Sequence, residues 1–469
     1  MIDGDGYYSA SIIYKYLKYI NPNAQVEPLF HINRAHGLKD KDIMERILQA
    51  KPKLLICPDS ASADFEQCKI LKDNGIDVLI LDHHPTDINN DYAVVINNKL
   101  SPNVINKAGS GALVTWKFCK YLDQKLGLNY APQMIDLVYF SLLSDICDMN
   151  TMENRAFAYW GSKNIKNKLL IAMCDELLKD KDITNHNISW YVQPKISDII
   201  RCQDEYIKHD LFYAIAEERQ DCIDRILERY LDIHNYRKKY VQEYFEGMEN
   251  INEDNNIIFE KVDGLYSYYT GLVGSKVNDK YNKPCILYRE PINSKIIGSA
   301  RSPYPIKQQL IDSGVFDWAN GHNEALGCQF DIKNIDKVKE FVENIKLDDS
   351  INVTQSFTPS KIPKYLFKEF TNYDELWGQS IPKPSFHISN IKINSNDIRV
   401  MGKNKTTIKF TYKGIDYLKF FVSHDDQENI YHIGENKDLL INIICEFSLN
   451  IWKGRVSQQA IIVITAVKD

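Results

Sequence analysis

Two short apolar runs in this 469-residue chain end on side chains that could do metal or acid–base chemistry. Lys53-Leu54-Leu55-Ile56-Cys57, bounded by Pro52 and Pro58, leads into Asp59. Asp77-Val78-Leu79-Ile80-Leu81 leads into Asp82-His83-His84. In open parallel sheets, ligands sit outside the carboxyl ends of the strands, so these residues are expected to converge on one cleft. Asp3-Gly4-Asp5-Gly6 adds two carboxylates on a glycine-rich turn, and Asp145 closes a later helix. Carboxylates gathered with imidazole suit Mn2+ or Mg2+, which prefer oxygen with some nitrogen. Four aspartates and one histidine can hold two ions roughly 3.5–4 Å apart, as in many phosphodiesterases. Singly, each has a plainer explanation, because an aspartate at a strand end usually closes a turn or caps a helix. The combination carries the chemistry.

The elements that must position these groups follow from hydrophobic pattern. Both apolar runs read as buried strands, residues 64–74 as a helix stopped at Gly75, and Tyr92–Ile96 as a third strand. Continuous apolar strands alternating with helices imply a parallel sheet covered on both faces. Ala112, Trp116, Cys119 and Leu122 recur at helical spacing, as do Val138 and Leu142 ahead of Asp145. A long helix from about 222 to 248 carries Ile226, Tyr230, Ile233, Val241 and Tyr244. It reads equally as an ordinary amphipathic helix or as a connector between two domains facing each other across a cleft. Strand and helix patterns return over 257–345, punctuated by glycines. A Pro- and Ser-richer stretch then precedes about five half-buried strands, which fit a small barrel of the OB type.

Composition bounds the possibilities. The length corresponds to about three domains at roughly 100–200 residues each, and 44% hydrophobic with 26% charged residues is ordinary for a globular protein. No apolar run approaches the ~18 residues of a membrane span, and MIDGDGYYSAS lacks the basic and apolar regions of a secretory signal. The ten cysteines are scattered with no CxxC pair, which argues against a zinc ribbon or a disulfide scaffold and predicts a reducing, cytoplasmic compartment. A net charge of −6 does not advertise nucleic-acid binding, yet an enzyme that works through metal ions must itself carry carboxylates.

The segments MIDGDGYYSAS, ICPDSAS, LILDHHPTD and SLLSDICDMNTMENR resemble, in order and spacing, the four motifs of the DHH phosphoesterase superfamily. AVVINNK, AGSGALVTWKF and YVQPKISDIIR resemble intervening segments, the last ending in Arg201. GLVGSKVNDKYNKPCIL, GSARS and NGHNEALG resemble the DHH-associated domain, and ELWGQSIPKPSF with GKNKTTIKFTYKG the OB domain of RecJ-type exonucleases. The resemblance implies an α/β protein in four parts. A parallel-sheet DHH domain (1–160) and a helical connector (161–256) lead to a smaller α/β DHH-associated domain facing the first (257–345). An OB-like β-barrel follows (350–469).

It further implies that Asp3, Asp5, Asp59, His83 and Asp145 ligate two Mn2+ or Mg2+ ions. His84 would contact the scissile phosphate, and Asp82 would orient His83 as metal-bound imidazoles usually require. Arg201, Ser299, Arg301, Ser302, Gly321 and His322 would grip substrate, with small residues admitting backbone N–H groups and Arg301 offering a bidentate fork. The implied activity is hydrolysis of single-stranded DNA from the 5′ end. The chain is expected to be a monomer without membrane contact, with a single-strand-binding protein or a helicase as further partners.

Three departures stand out. The family's usual first strand, with an extra His or Asp ahead of Asp3, falls at or before Met1, so either the start lies upstream or that strand is lacking. Asn320 replaces a usual Gly, and Ser197-Asp198 replace an Asn-Ala pair. Two alternatives compete: an enzyme for short oligonucleotides or cyclic dinucleotides, which would not need the OB-like part, and an inactive DNA-binding scaffold, which would not need the aspartates. Candidate strand contacts in the OB-like part are Lys403, Lys405, Lys409 and Lys413, alternating with Phe410 and Tyr412.

Overall fold

A computed structural model describes the chain except residues 1–2, 32–36, 88, 250, 348–349, 351, 374–376, 378–380, 403, 453 and 469, with backbone only at 451–452 and 467–468. The expectations at Met1 and Lys403, and part of the segment ELWGQSIPKPSF, therefore lie outside the described residues.

Strands β1 (Leu54–Pro58), β2 (Asp77–Asp82) and β3 (Val94–Asn97) form a parallel sheet in that order. Its two faces feed different cores. Val78 and Ile80 join Ile43, Ile47, Cys68 and Leu71 on one side, whereas Leu81 joins the large core of Tyr8, Ile12, Leu113 and Phe140 on the other. Strand residues alternate sides, so a parallel sheet covered on both faces needs an unbroken apolar run. The helix Phe65–Asp73 ends before Gly75, whose φ of +77° is the left-handed conformation expected of a stop. Helices Gly4–Ile20, Gly111–Leu126 and Ile135–Ser144 pack together beneath the carboxyl ends of the strands.

The long helix spans Gln220–Glu246 and resolves the open question about it. Cys222, Ile223, Ile226 and Tyr230 belong to the first core, and Val241 belongs to a separate one with Ile258, Val273 and Leu287. It is a connector. Beyond it, β4 (Ile258–Lys261), β5 (Cys285–Tyr288), β6 (Lys295–Arg301), β7 (Trp318–Gly321) and β8 (Ala325–Asp331) make a sheet of order β4-β5-β6-β8-β7, in which only the β4–β5 pairing is parallel.

The C-terminal strands are β9 (Gln355–Phe357), β10 (Ser385–Asn394), β11 (Arg399–Met401), β12 (Thr407–Tyr412), β13 (Ile415–Lys419), β14 (Asp438–Trp452) and β15 (Arg455–Lys468). They form one sheet of order β11-β12-β13-β15-β14-β10-β9, which curls around a single core containing Phe386, Phe410, Tyr417, Cys445 and Ala460. The expected barrel is therefore not closed among the described residues. Strand β9 pairs along the free edge of β10 and β11 is only three residues long, so the two edge strands do not bond to one another. The expected contact strip also changes. Phe410 is buried in the core, and Lys409 is paired with Asp416 at 2.8 Å, so neither is presented to a strand of nucleic acid. The aromatic pair that does face solvent is Phe420-Phe421, with Phe421 92% exposed.

Candidate metal centre and substrate grip

Asp5 sits in the first turn of helix Gly4–Ile20, where its carboxylate meets the amino end of helix Gly111–Leu126. It accepts from the backbone N–H of Gly111 at 2.7 Å and of Ala112 at 2.9 Å, and from the Ser141 hydroxyl at 2.6 Å. Free amides at a helix start favour an anion, which fixes this carboxylate in place. Asp59 leaves β1 with φ +57°, a conformation that Asp and Asn tolerate better than most residues. Its backbone N–H donates to Leu81 across the sheet, which lays its side chain against Gly111. A Cβ at position 111 would come within 2.6–2.9 Å of the Asp59 carboxylate, so only glycine admits this approach.

These elements bring Asp5, Asp59, His83, His84 and Asp145 together. The His83 Nε2 lies 3.2 Å from Asp59, 3.5 Å from Asp5 and 3.8 Å from Asp145. Two overlapping groups, Asp59-His83-His84 and Asp5-His83-Asp145, each have ligand atoms within 4.8 Å of one another. Asp3 is not in either group. Its Oδ1 caps the first helix by accepting from Gly6 N–H at 2.9 Å, although its charge is felt by Asp59, Asp145 and His84.

Asp82 departs from its expected role. Its Oδ1 accepts from the His84 ring at 2.8 Å and from the His83 backbone N–H at 2.7 Å. The carboxylate folds back over the peptides that follow β2, so it orients His84, while the His83 ring points away toward the other aspartates.

The electrostatics describe a site built for cations. Burial, then the charges of Asp5, Asp3 and Asp145, push the Asp59 carboxyl well above the usual carboxylate range. Burial and the same neighbours Asp5 and Asp3 push Asp145 up to about 8. Burial lowers His83, which favours the neutral imidazole that a metal requires. Burial also opposes charge on His84, but its bond to Asp82 outweighs this and raises it. The Asp59 Oδ1 is fully buried and has no hydrogen-bond partner among the described residues. An orphaned carboxylate oxygen aimed at a neutral imidazole and two more carboxylates fits a divalent ion bound by hard oxygen donors.

The second predicted set gathers on the five-stranded sheet. Strand register places Arg301 opposite Ala325 and Ala300 opposite Leu326, while Gly321 pairs with Leu326 on the other side. Gly321-His322 therefore lies one strand away from Ala300-Arg301, across β8. The φ of Gly321 is +132°, and a Cβ there would strike the Ala325 carbonyl at 2.7 Å. Arg301 donates to the Ala300 carbonyl at 2.7 Å and to the Ser299 hydroxyl at 3.3 Å. Ser302 instead turns its hydroxyl to accept from Tyr304 N–H at 3.0 Å. Arg201 ends helix Gln193–Arg201, and its charge adds to burial in lowering Arg301. The departure at Asp198 has a structural reason. Its carboxylate takes both arms of Arg237, at 2.9 and 3.0 Å, and bonds His234 at 2.6 Å, tying the Arg201 helix to the connector.

Sequence reasoning missed Ser141, which bridges Asp5 and Ser110, and Ser62, whose N–H holds Asp82 at 3.1 Å. A lone serine in an apolar helix carries no signal of this kind. Gly109-Ser110-Gly111 before the helix was visible, but its partner was not.

Comparison with known proteins agrees with the geometry. The N-terminal domain model of the DHH family matches residues 1–142, and the RecJ OB domain model matches residues 355–463. A Bacillus subtilis protein provisionally named SPbeta prophage-derived single-strand DNA-specific exonuclease YorK is 29% identical over 496 residues, covering 97% of this chain and 84% of that protein. The single-stranded-DNA-specific exonuclease RecJ of Bacillus subtilis is 22% identical, and this chain spans 60% of its length. The crystal structure of RecJ in complex with Mn2+ from Thermus thermophilus superposes with a TM-score of 0.77 at 17% identity, over all of this chain and 68% of that one, and so shares its fold. The two domain matches lie at the ends of one continuous alignment, so the chain carries a DHH-family N-terminal domain and a RecJ-type OB domain and is similar to RecJ-type exonucleases along nearly its whole length.

Proposed function

We propose that this protein is a metal-dependent exonuclease that hydrolyses phosphodiester bonds in single-stranded DNA, proceeding from the 5′ end. The observation that carries the reading is the cluster of buried Asp5, Asp59 and His83 with half-buried Asp145, in which one Asp59 oxygen has no hydrogen-bond partner among the described residues, in a chain whose relatives are named single-strand DNA-specific exonucleases. RecJ of Thermus thermophilus binds both Mn2+ and Mg2+, and either suits these donors. Such ions would supply an activated water at neutral pH and offset the charge of the in-line transition state.

The chain's own residues do the rest. Asp5, Asp59, His83 and Asp145 hold the ions, with Asp3 adding charge. His84, whose bond to Asp82 favours its protonated form, would donate to an oxygen of the scissile phosphate. Arg201 and Arg301 fix the neighbouring phosphate, with Ser299 and the Gly321-His322 backbone beside it. The part beyond residue 350 extends the strand track, so a substrate longer than a dinucleotide is the one that uses the whole molecule. A single-strand-binding protein or a helicase would supply such strands, and a monomer suffices for the chemistry. All ten cysteines are unpaired, in keeping with a reducing cytoplasm.

The test is release of nucleotides from single- and double-stranded DNA labelled at the 5′ or the 3′ end, in Mn2+, Mg2+ or EDTA. Stepwise release of the 5′ label from single strands, lost in EDTA, is expected. Equal cleavage of duplex, or hydrolysis confined to dinucleotides, would overturn the reading.

A further inference from the structure

A cavity of about 350 Å3 lies beside the phosphate grip, between the connector helix and the segment leading into helix Thr270–Tyr281. Arg201 and Arg229 line it together with Tyr236, Tyr266, Tyr268 and Tyr269. Its volume is at the low end of the roughly 300–1,000 Å3 of small-molecule sites, which suits one nucleobase with its sugar. Two of these rings are accessible at its mouth, Tyr236 at 59% and Tyr266 at 38% exposed, while Tyr269 is buried behind them. Tyr240 stacks behind Tyr266 at 5.1 Å and holds that ring upright.

The charges separate a base from a second phosphate. Arg229 is neutralised by Asp204 at 2.6 Å, and Asp232 also lines the cavity, so its interior is close to neutral. Among the described residues Arg201 has no carboxylate partner; it lines the pocket, and its charge is felt by Arg301. The Arg301 guanidinium in turn rests on Gly271, two residues past Tyr269, where a Cβ would meet its Nη2 at 2.1 Å. The tyrosine-walled pocket, its charges balanced, thus opens next to Arg201 and to the segment on which Arg301 rests.

We propose that this pocket stacks a nucleobase of the single strand adjacent to the phosphate held by Arg201 and Arg301. The proposal rests on the single-strand reading above. It makes the enzyme sensitive to the presence of a base at one fixed position from the grip, whatever its identity, because every base offers a π face.

The experiment measures binding of the full chain to 12-nucleotide phosphorothioate strands carrying one abasic residue, moved stepwise along the strand. One abasic position is expected to weaken binding about five- to 150-fold, the equivalent of about 1–3 kcal/mol. Tyr266→Ala should abolish the difference at that position alone, and Tyr266→Phe should keep it, which a merely structural tyrosine would not do. Equal binding of every abasic strand, or the same penalty in Tyr266→Ala as in the unaltered protein, would overturn the proposal. If Tyr266→Ala does not fold, Tyr236→Ala on the solvent side of the connector takes its place with the same two outcomes. Position-specific penalties without any cleavage would sink the exonuclease reading and leave the pocket standing. Cleavage with no base dependence would do the reverse.

Discussion

Replacing Asp59 by Asn should make the metal-free protein more stable and the enzyme inactive. Asp59 is 3% exposed, its Oδ1 has no hydrogen-bond partner among the described residues, and Asp5, Asp3 and Asp145 all repel its charge. Because its carboxyl is held above the unfolded value, the folded chain binds more protons than the unfolded one, and stability falls as pH rises above about 4. Asn keeps the shape, tolerates φ +57°, removes the charge, and offers an N–H to His83 Nε2, which lies 3.2 Å from the present oxygen. A buried polar group without a partner costs about 1–3 kcal/mol, so a gain of that order is expected in EDTA at pH 8, shrinking toward pH 4. Ala would blur the result, since a left-handed residue with a Cβ and no local bond costs about 1–2 kcal/mol. In Mn2+ at a hundred times its dissociation constant, the unaltered protein should gain about 2.7 kcal/mol that the variant lacks. Turnover should fall by more than a hundredfold, because even partners one shell beyond a metal ligand cost about 10–100-fold. Thermal unfolding with and without Mn2+, alongside nucleotide release, reads all three effects. A variant that is destabilised in EDTA yet keeps the Mn2+ gain and the turnover would refute the reasoning.

Further outcomes follow from the same geometry. Arg301→Ala should weaken single-strand binding about ten- to a hundredfold, the worth of a charge-assisted contact, and leave Mn2+ affinity unchanged; an unaltered KM would remove Arg301 from the grip. Mn2+ affinity should rise by up to about tenfold per pH unit toward pH 8, because the ion displaces the proton that Asp145 holds up to about 8. Calorimetry between pH 6 and 9 would expose a flat profile, which contradicts the account. Removing residues 350–469 should preserve hydrolysis of very short strands while lowering both the affinity for long ones and its salt dependence, as fewer phosphates are neutralised. Equal salt slopes for truncated and full-length protein would take the C-terminal sheet off the DNA track.

The strand ends were legible because an unbroken apolar run leaves a parallel sheet little freedom in where it stops, and Asp59 and Asp82-His83-His84 stand at those stops. The convergence of Asp5 and Asp145 on them came from the family resemblance, since it depends on helices far apart in sequence packing under one sheet edge. Asp82 was assigned to His83, whereas its carboxylate meets the His84 ring, because the two residues that follow it are both histidines and only the fold of the turn decides which ring it meets. The C-terminal strands were readable from alternation, but alternation says which residues face inward, not whether the edges meet. For the same reason Phe410 looked like a contact residue until its face was known. The tyrosine pocket had no sequence signature, because its walls come from positions 236 and 266–269 on two separate elements.

Anomalous diffraction at the manganese edge from crystals of the full chain tests the central claim most directly. The account predicts two peaks, both bounded by Asp5, Asp59, His83 and Asp145, and at most one in the Asp59→Asn variant. No peak in that cluster, or peaks held elsewhere on the chain, would contradict it.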